Sequence, residues 1–190
     1  MKSNGFFRLM ENPFTRIAGW QAFGLGLVFL VVSGIIGGFG NVVFDGVIDS
    51  HLVKQLTMMQ SFSYIGISLL TLVLVMWIAG LFIAKGFRFI DILGTMTLSK
   101  APFLLIAIVG YFAKMPDMNE VMKNPMVVFH SESMVVLMIL SIPVVVWSIT
   151  LMYNALKISS GTSGGKLTTV FIIAILASEA ISKLMIYFLM

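Results

Sequence analysis

Long uncharged apolar runs separated by short polar stretches set the pattern of this chain. Residues 19–40, 62–84 and 133–156 contain no charged side chain, and 167–190 contains only Glu179 and Lys183. A hydrocarbon core about 30 Å thick is crossed by roughly 20 helical residues, so each of these four runs predicts a transmembrane helix. A fifth run covers 92–113 and is interrupted by Lys100 and Pro102. The part after Lys100 is too short to cross alone, so that helix has to begin near Ile92 or earlier. The pattern predicts an all-α polytopic transmembrane helix bundle of five spans, forming one membrane domain over 1–190.

Composition agrees: 59% of residues are hydrophobic and only 11% charged, against about 25% charged in soluble proteins. Mean hydropathy is +1.04. With no cysteine, disulfides, thiolate metal sites and cysteine nucleophiles are excluded. The first run follows the basic residues Lys2, Arg8 and Arg16 but is longer than the roughly 7–15 residues of a signal-peptide core, so it reads as a retained anchor.

The net charge of +4 is spread over segment ends, which speaks to topology rather than to nucleic acid. Lys2, Arg8, Arg16, Lys85, Arg88, Lys157 and Lys166 fall on one side of five spans. The other side holds Lys54, Lys114 and Lys123 with Asp45, Asp49, Asp117, Glu120 and Glu132. The positive-inside rule then predicts a cytoplasmic N-terminus and a C-terminus outside.

Local signals refine the frame. Asn12 and Pro13 read as a helix cap and first position, and Phe6, Phe7, Phe14 and Trp20 among basic residues suggest a segment lying at the membrane surface. The stretch 157–166, "KISSGTSGGK", reads as a flexible turn. Ala18, Ala22, Gly26, Gly34 and Gly38 recur at four-residue spacing, broken only at Leu30, a candidate face for close helix packing. Pro102 and Pro143 each remove a helix hydrogen bond and can kink their spans.

The third span carries the first candidate chemistry. At about 100° per residue, Arg88, Asp91, Thr95, Ser99 and Pro102 share a face about 80° wide. Arg88 and Asp91 are spaced to pair. Lys100 lies off that face, and its long stem suits a return toward the cytoplasmic headgroups. The stripe reads either as a cationic rim with a paired Asp91 or as a docking face for partners or anionic lipid. In the fifth span, Glu179 precedes Lys183 by four residues, the favoured order for a helical ion pair. Glu179 sits near mid-membrane, where an ionisable group is a functional candidate by default. The plain alternative is a self-neutralised pair that fixes helix packing.

The loop after the first span reads "VVFDGVIDSHLVK". Asp45-Gly46 suits a turn, and Asp49 or Ser50 suits the cap of a following helix. Asp45, Asp49 and His51 are also ligand types for a divalent cation, but three of them in a loop of unknown shape do not make a metal site, and none is assigned. His130 reads as interfacial. "GTSGGK" lacks the spacing and strand of a phosphate loop. No catalytic constellation and no cofactor motif is present, so the expectation is a protein without enzymatic activity.

The segments "NPFTRIAGW", "FDGVIDSH" and "RFIDILGTMTLSKAPFLL", set within five spans, resemble the Yip (Ypt/Rab-interacting protein) domain family, and in particular its prokaryotic branch. The resemblance rests on Asp91 to Gly94 and Lys100 to Pro102 together with the number of spans. It implies a non-enzymatic membrane protein with a cytoplasmic N-terminus. Eukaryotic members associate with prenylated small GTPases. A long soluble N-terminal region like theirs is not expected here, so that partner is not carried over. The expected role is a membrane organiser or adaptor in a bacterial inner membrane, binding lipid or membrane-protein partners and assembling as a homo-oligomer. The competing reading is a small transporter, channel or lipid-translocating protein using Glu179, Lys183 and Lys100.

Overall fold

The computed structural model describes residues 10–86 and 88–190, with Met118 described by its backbone alone. Lys2, Phe6, Phe7 and Arg8 lie outside the described residues. Among the described residues, five spans are long and apolar enough to cross a membrane: α1 (Gly19–Gly40), α2 (Met58–Ile83), a third span Phe89–Phe112 made of α3 (Phe89–Ser99) and α4 (Phe103–Phe112), α7 (Glu132–Ser160) and α8 (Gly165–Leu189). Between α4 and α7 come two short helices, α5 (Met118–Lys123) and α6 (Val127–His130). Each predicted run lies in its own span, with α2 and α7 extending a few residues further than their uncharged cores.

The third span is the hub. Two-thirds of its apolar window (67%) is buried, against 17% for α7, and it packs on α1, α2 and α7, while α8 packs chiefly along α2. Pro102 divides it. Having no N–H, Pro102 cannot serve the Leu98 carbonyl four residues back, and the chain tightens instead. Leu98 O accepts from Ala101 N at 3.0 Å, and Lys100 O accepts from Phe103 N at 3.0 Å. The Ser99 carbonyl, left without its helical donor, accepts from the Ser148 hydroxyl of α7 at 2.8 Å. A neighbouring helix thus satisfies the backbone that the proline frees. Pro143, by contrast, sits inside an unbroken α7.

The small-residue stripe of α1 is divided between two neighbours. A methyl group on Gly26 would stand 2.5 Å from Leu98 N, so α1 and α3 touch backbone to backbone. Further along, Gly34 and Gly38 face Phe62 and Met58 of α2, and Ser61 Oγ donates to Gly34 O at 2.8 Å. Ala22 is fully buried, whereas Ala18 is exposed and precedes the helix.

Three local expectations are corrected. Pro13 opens a separate 3-10 turn (Pro13–Thr15) rather than the first span, and Asn12 makes no side-chain cap. The helix after the first loop is capped by Thr57 and Gln60, which form a capping box, rather than by Asp49 or Ser50. The 157–166 stretch is mostly helical, because α7 runs to Ser160 and only 161–164 turn, with Gly161 (φ 63°) and Gly164 (φ 85°) in left-handed conformations. The third span starts at Phe89, before Ile92 as expected.

The loop between α1 and α2 decides where the chemistry lies. Asn41, at φ 55°, ends α1, and β1 (Val42–Val43) turns back to pair with β2 (His51–Leu52) in an antiparallel ribbon. Val42, Val43, Phe44 and Val47 are all buried. The tip of this hairpin therefore folds into the bundle instead of capping it.

Candidate functional site: a turn clamped between buried charges

Glu179 and Lys100 meet across the tip of the hairpin. Glu179 Oε2 accepts from Val47 N at 2.7 Å and from Ile48 N at 3.0 Å. Lys100 Nζ donates to Gly46 O at 3.3 Å and to Val47 O at 2.5 Å. Two successive peptide groups, Gly46–Val47 and Val47–Ile48, thus present both carbonyls to a cation and both N–H groups to an anion. Each peptide dipole lies along the field between the charges, so the turn and the side chains stabilise one another. Ser182 Oγ of α8 adds a bond to Asp45 O at 2.9 Å.

Gly46 makes this approach possible: a side chain there would run into the Glu179 carboxylate and stand 2.8 Å from Asp49 Cβ. Lys100 is only 3% exposed. The face of Phe103, 4.5 Å from Nζ, gives its ammonium a third partner of negative character. Beside it, Ser33, Ser68 and Phe103 line a cavity of about 10 Å³, at the limit of what one water needs.

Outside the clamp is a half-exposed rim. Lys183 Nζ lies 2.5 Å from Asp49 Oδ2 and 3.7 Å from Glu179 Oε1. The helical Glu179–Lys183 pair expected from spacing is therefore present, but the closer partner of Lys183 is Asp49. His51 Nδ1 lies 3.4 Å from Asp45 Oδ1. That oxygen is buried and has no aligned hydrogen bond, so the contact is an electrostatic one.

Asp45, Asp49 and His51 converge as the sequence suggested, each offering one ligand atom within 4.8 Å of the others. Their charges already have counterparts in Lys183 and in each other, so the arrangement reads as an ion-pair rim and no metal is assigned to it.

The remaining candidates lie elsewhere. Lys100 does not return to the headgroups; its stem runs to the hairpin, because two carbonyls there offer what the lipid interior lacks. Arg88 has extended backbone before α3 and is exposed, and no ion pair joins it to Asp91 among the described residues. Asp91 is half-buried in the first turn of α3, near Gly19. Thr95 and Ser99 bond back to carbonyls of their own helix, and Pro102 makes the break described above. Phe87 lies outside the described residues. His130 is exposed, with Nδ1 2.9 Å from Met126 O.

Sequence reasoning missed the backbone of Gly46 to Ile48 as the partner of both the buried Lys100 and the partly buried Glu179. The signal was present: a loop containing Val42, Val43, Phe44, Val47 and Ile48 is too apolar to rest in water.

No family model, no curated protein and no solved structure matches the chain.

The rim titrates. Contact with Asp45 holds the His51 imidazole above its ordinary 6.5, against partial burial. Burial works to raise Asp45, but contact with His51 and the nearby Lys183 outweigh it and leave the carboxyl below its ordinary 3.8. A raised histidine stabilises fully below its unfolded value and loses this as pH rises through its folded one; a lowered aspartate does so above its unfolded value and loses it on acidification. The His51–Asp45 attraction is therefore greatest between the lowered Asp45 value and the raised His51 value. We expect Asp45→Asn to return the His51 pKa toward 6.5 in an NMR titration. An unchanged His51 pKa would show that Asp45 does not set it.

Proposed function

We propose that this protein is a non-enzymatic, Yip-like multi-pass membrane protein that organises membrane or holds membrane partners. One observation carries the reading. Buried Lys100 and partly buried Glu179 are engaged with the chain's own backbone, so they serve to hold its shape. Free polar groups then lie at the ends, where partners meet the protein. At the N-terminal end, Trp147 Nε1 donates to Met10 O at 2.8 Å and Asn154 Nδ2 to Glu11 O at 2.9 Å. These bonds fix the segment that carries exposed Arg16 and leads to exposed Trp20. Charge asymmetry supports a cytoplasmic placement of this end, and the bacterial inner membrane belongs to the proposal through the resemblance to the prokaryotic Yip branch. Assembly with further copies of the chain and contact with anionic lipid belong to the same proposal.

A second reading has one observation in its favour. Side-chain exposure falls from 45% at Lys183 to 18% at Glu179, and Lys100 is 3% exposed. This polar line from the rim to the interior is what a small transporter or channel needs, with the hairpin as its plug.

Labelling separates the two. Ser178 and Lys100 are buried and Lys183 is half-exposed. For the organiser, a membrane-impermeant maleimide should label Lys183→Cys from the hairpin side only and leave Ser178→Cys and Lys100→Cys untouched. Rapid labelling of Ser178→Cys, which alters neither charge, would mean that water reaches the clamp and would transfer the assignment to transport.

A further inference from the structure

Where α1 meets α4, at the hairpin end, two cavities adjoin along one seam. The first is an apolar groove of about 380 Å³ whose lining includes Ile36, Phe39, Ile108 and Phe112. The second is a cleft of about 510 Å³ whose lining includes Asn41, Lys54, Lys114 and Asp117. Their linings follow one another along both helices, Phe39 before Gly40 and Asn41, and Phe112 before Ala113 and Lys114, and Tyr111 of the groove packs on Gly40 of the cleft.

Two details make the junction a defined shape. Gly40 packs against the Tyr111 backbone, where an added methyl would stand 2.6 Å from its Cα. Asn41 fixes the cleft wall, accepting from Leu56 N through its side chain at 2.8 Å and from Val53 N through its carbonyl at 2.9 Å.

The chemistry changes along this seam in the order that it changes along a lipid. Within the spans it offers hydrocarbon. Where the helices end it offers two ammonium groups against one carboxylate, and Asp117 Oδ1 already accepts from Asn119 N. A phosphodiester carries the complementary charge, and its glycerol esters place it at this depth of a bilayer. We propose that the seam binds one glycerophospholipid from the leaflet at the hairpin end. An acyl chain lies along α1 and α4, and the phosphodiester lies between Lys54 and Lys114. This requires only that the bundle spans a bilayer, and it stands or falls independently of the organiser reading.

Native mass spectrometry of the full chain in detergent micelles tests it, with phosphatidylglycerol and a diacylglycerol of the same chains titrated separately. The wild-type protein should retain phosphatidylglycerol in preference to diacylglycerol. Lys54→Gln with Lys114→Gln should lower phosphatidylglycerol affinity roughly fivefold per lysine and leave diacylglycerol unaffected. Both lysines are exposed, so the fold should survive their replacement. Ile108→Trp, filling the groove, should weaken both lipids. Equal retention of the two lipids by the wild type, or an unchanged preference in the double variant, would overturn the proposal. So would dimers that exclude lipid, which would mean that a second copy covers the seam.

Discussion

Replacing Glu179 by leucine is expected to destabilise the protein by about 1–3 kcal/mol for each of the two backbone donors left without an acceptor. The variant leaves the N–H groups of Val47 and Ile48 without their acceptor, and it removes the anion on the far side of the turn from Lys100, whose contacts are two carbonyls and a ring. Lys100→Met should cost less. Glu179 would keep Lys183 at 3.7 Å and both backbone donors. The decisive measurement is the double variant Lys100→Met/Glu179→Leu, unfolded in the same detergent as the singles. Because the second substitution removes the charge left facing no opposite charge across the turn by the first, the double should cost about 1–3 kcal/mol less than the sum of the singles. Additive costs would mean that the two side chains act separately and that the clamp is not a unit.

Gly26→Ala should also be damaging, for a different reason. Its methyl group would stand 2.5 Å from Leu98 N, 2.7 Å from Thr97 C and 2.8 Å from Leu98 Cα. All three atoms belong to backbone, so no flexible side chain can move aside. Overpacking of this kind costs about 1–3 kcal/mol, and here it would prise α1 from the hub span. Gly24 and Gly66 provide the contrast, since nothing lies within 4 Å of a methyl group at either position. Alanine there should be neutral or stabilising by up to about 1 kcal/mol, through helix propensity alone. Equal thermal shifts for Gly26→Ala and Gly24→Ala would refute the close α1–α3 contact.

The hairpin and the hub helix depend on each other. Pro102 breaks the third span just after Lys100, and the break places that lysine where its stem reaches the re-entering loop. Without the loop's carbonyls, Lys100 would be an unpaired charge deep in apolar surroundings, a costly state. Without Lys100 and Glu179, the tip of the loop would bury peptide groups that lack partners, which is no less costly. Each element makes the other tolerable.

Much of the architecture was legible from hydropathy alone. Five runs became five spans because the thickness of a bilayer and the rise of a helix leave little choice, and α1 spans the same residues as its uncharged run. The helical Glu179–Lys183 pair followed from spacing, and the proline break followed from a missing N–H. Along one helix, geometry is local and periodic, so sequence distance converts directly into position.

What only the tertiary structure decided were the partners brought from far along the chain. The long stem of Lys100 suits the headgroups, whereas its acceptors are Gly46 and Val47, more than 50 residues away. Glu179 appeared to have no partner beyond its own helix, and it holds amides 132 and 131 residues distant. Backbone atoms carry no sequence signature, so a side chain that binds them gives no pairing to read. The sequence determined how many helices cross and which charges had to be satisfied inside. Folding determined what satisfies them, because only packing brings a loop's peptide groups within hydrogen-bond reach of two charges on different helices.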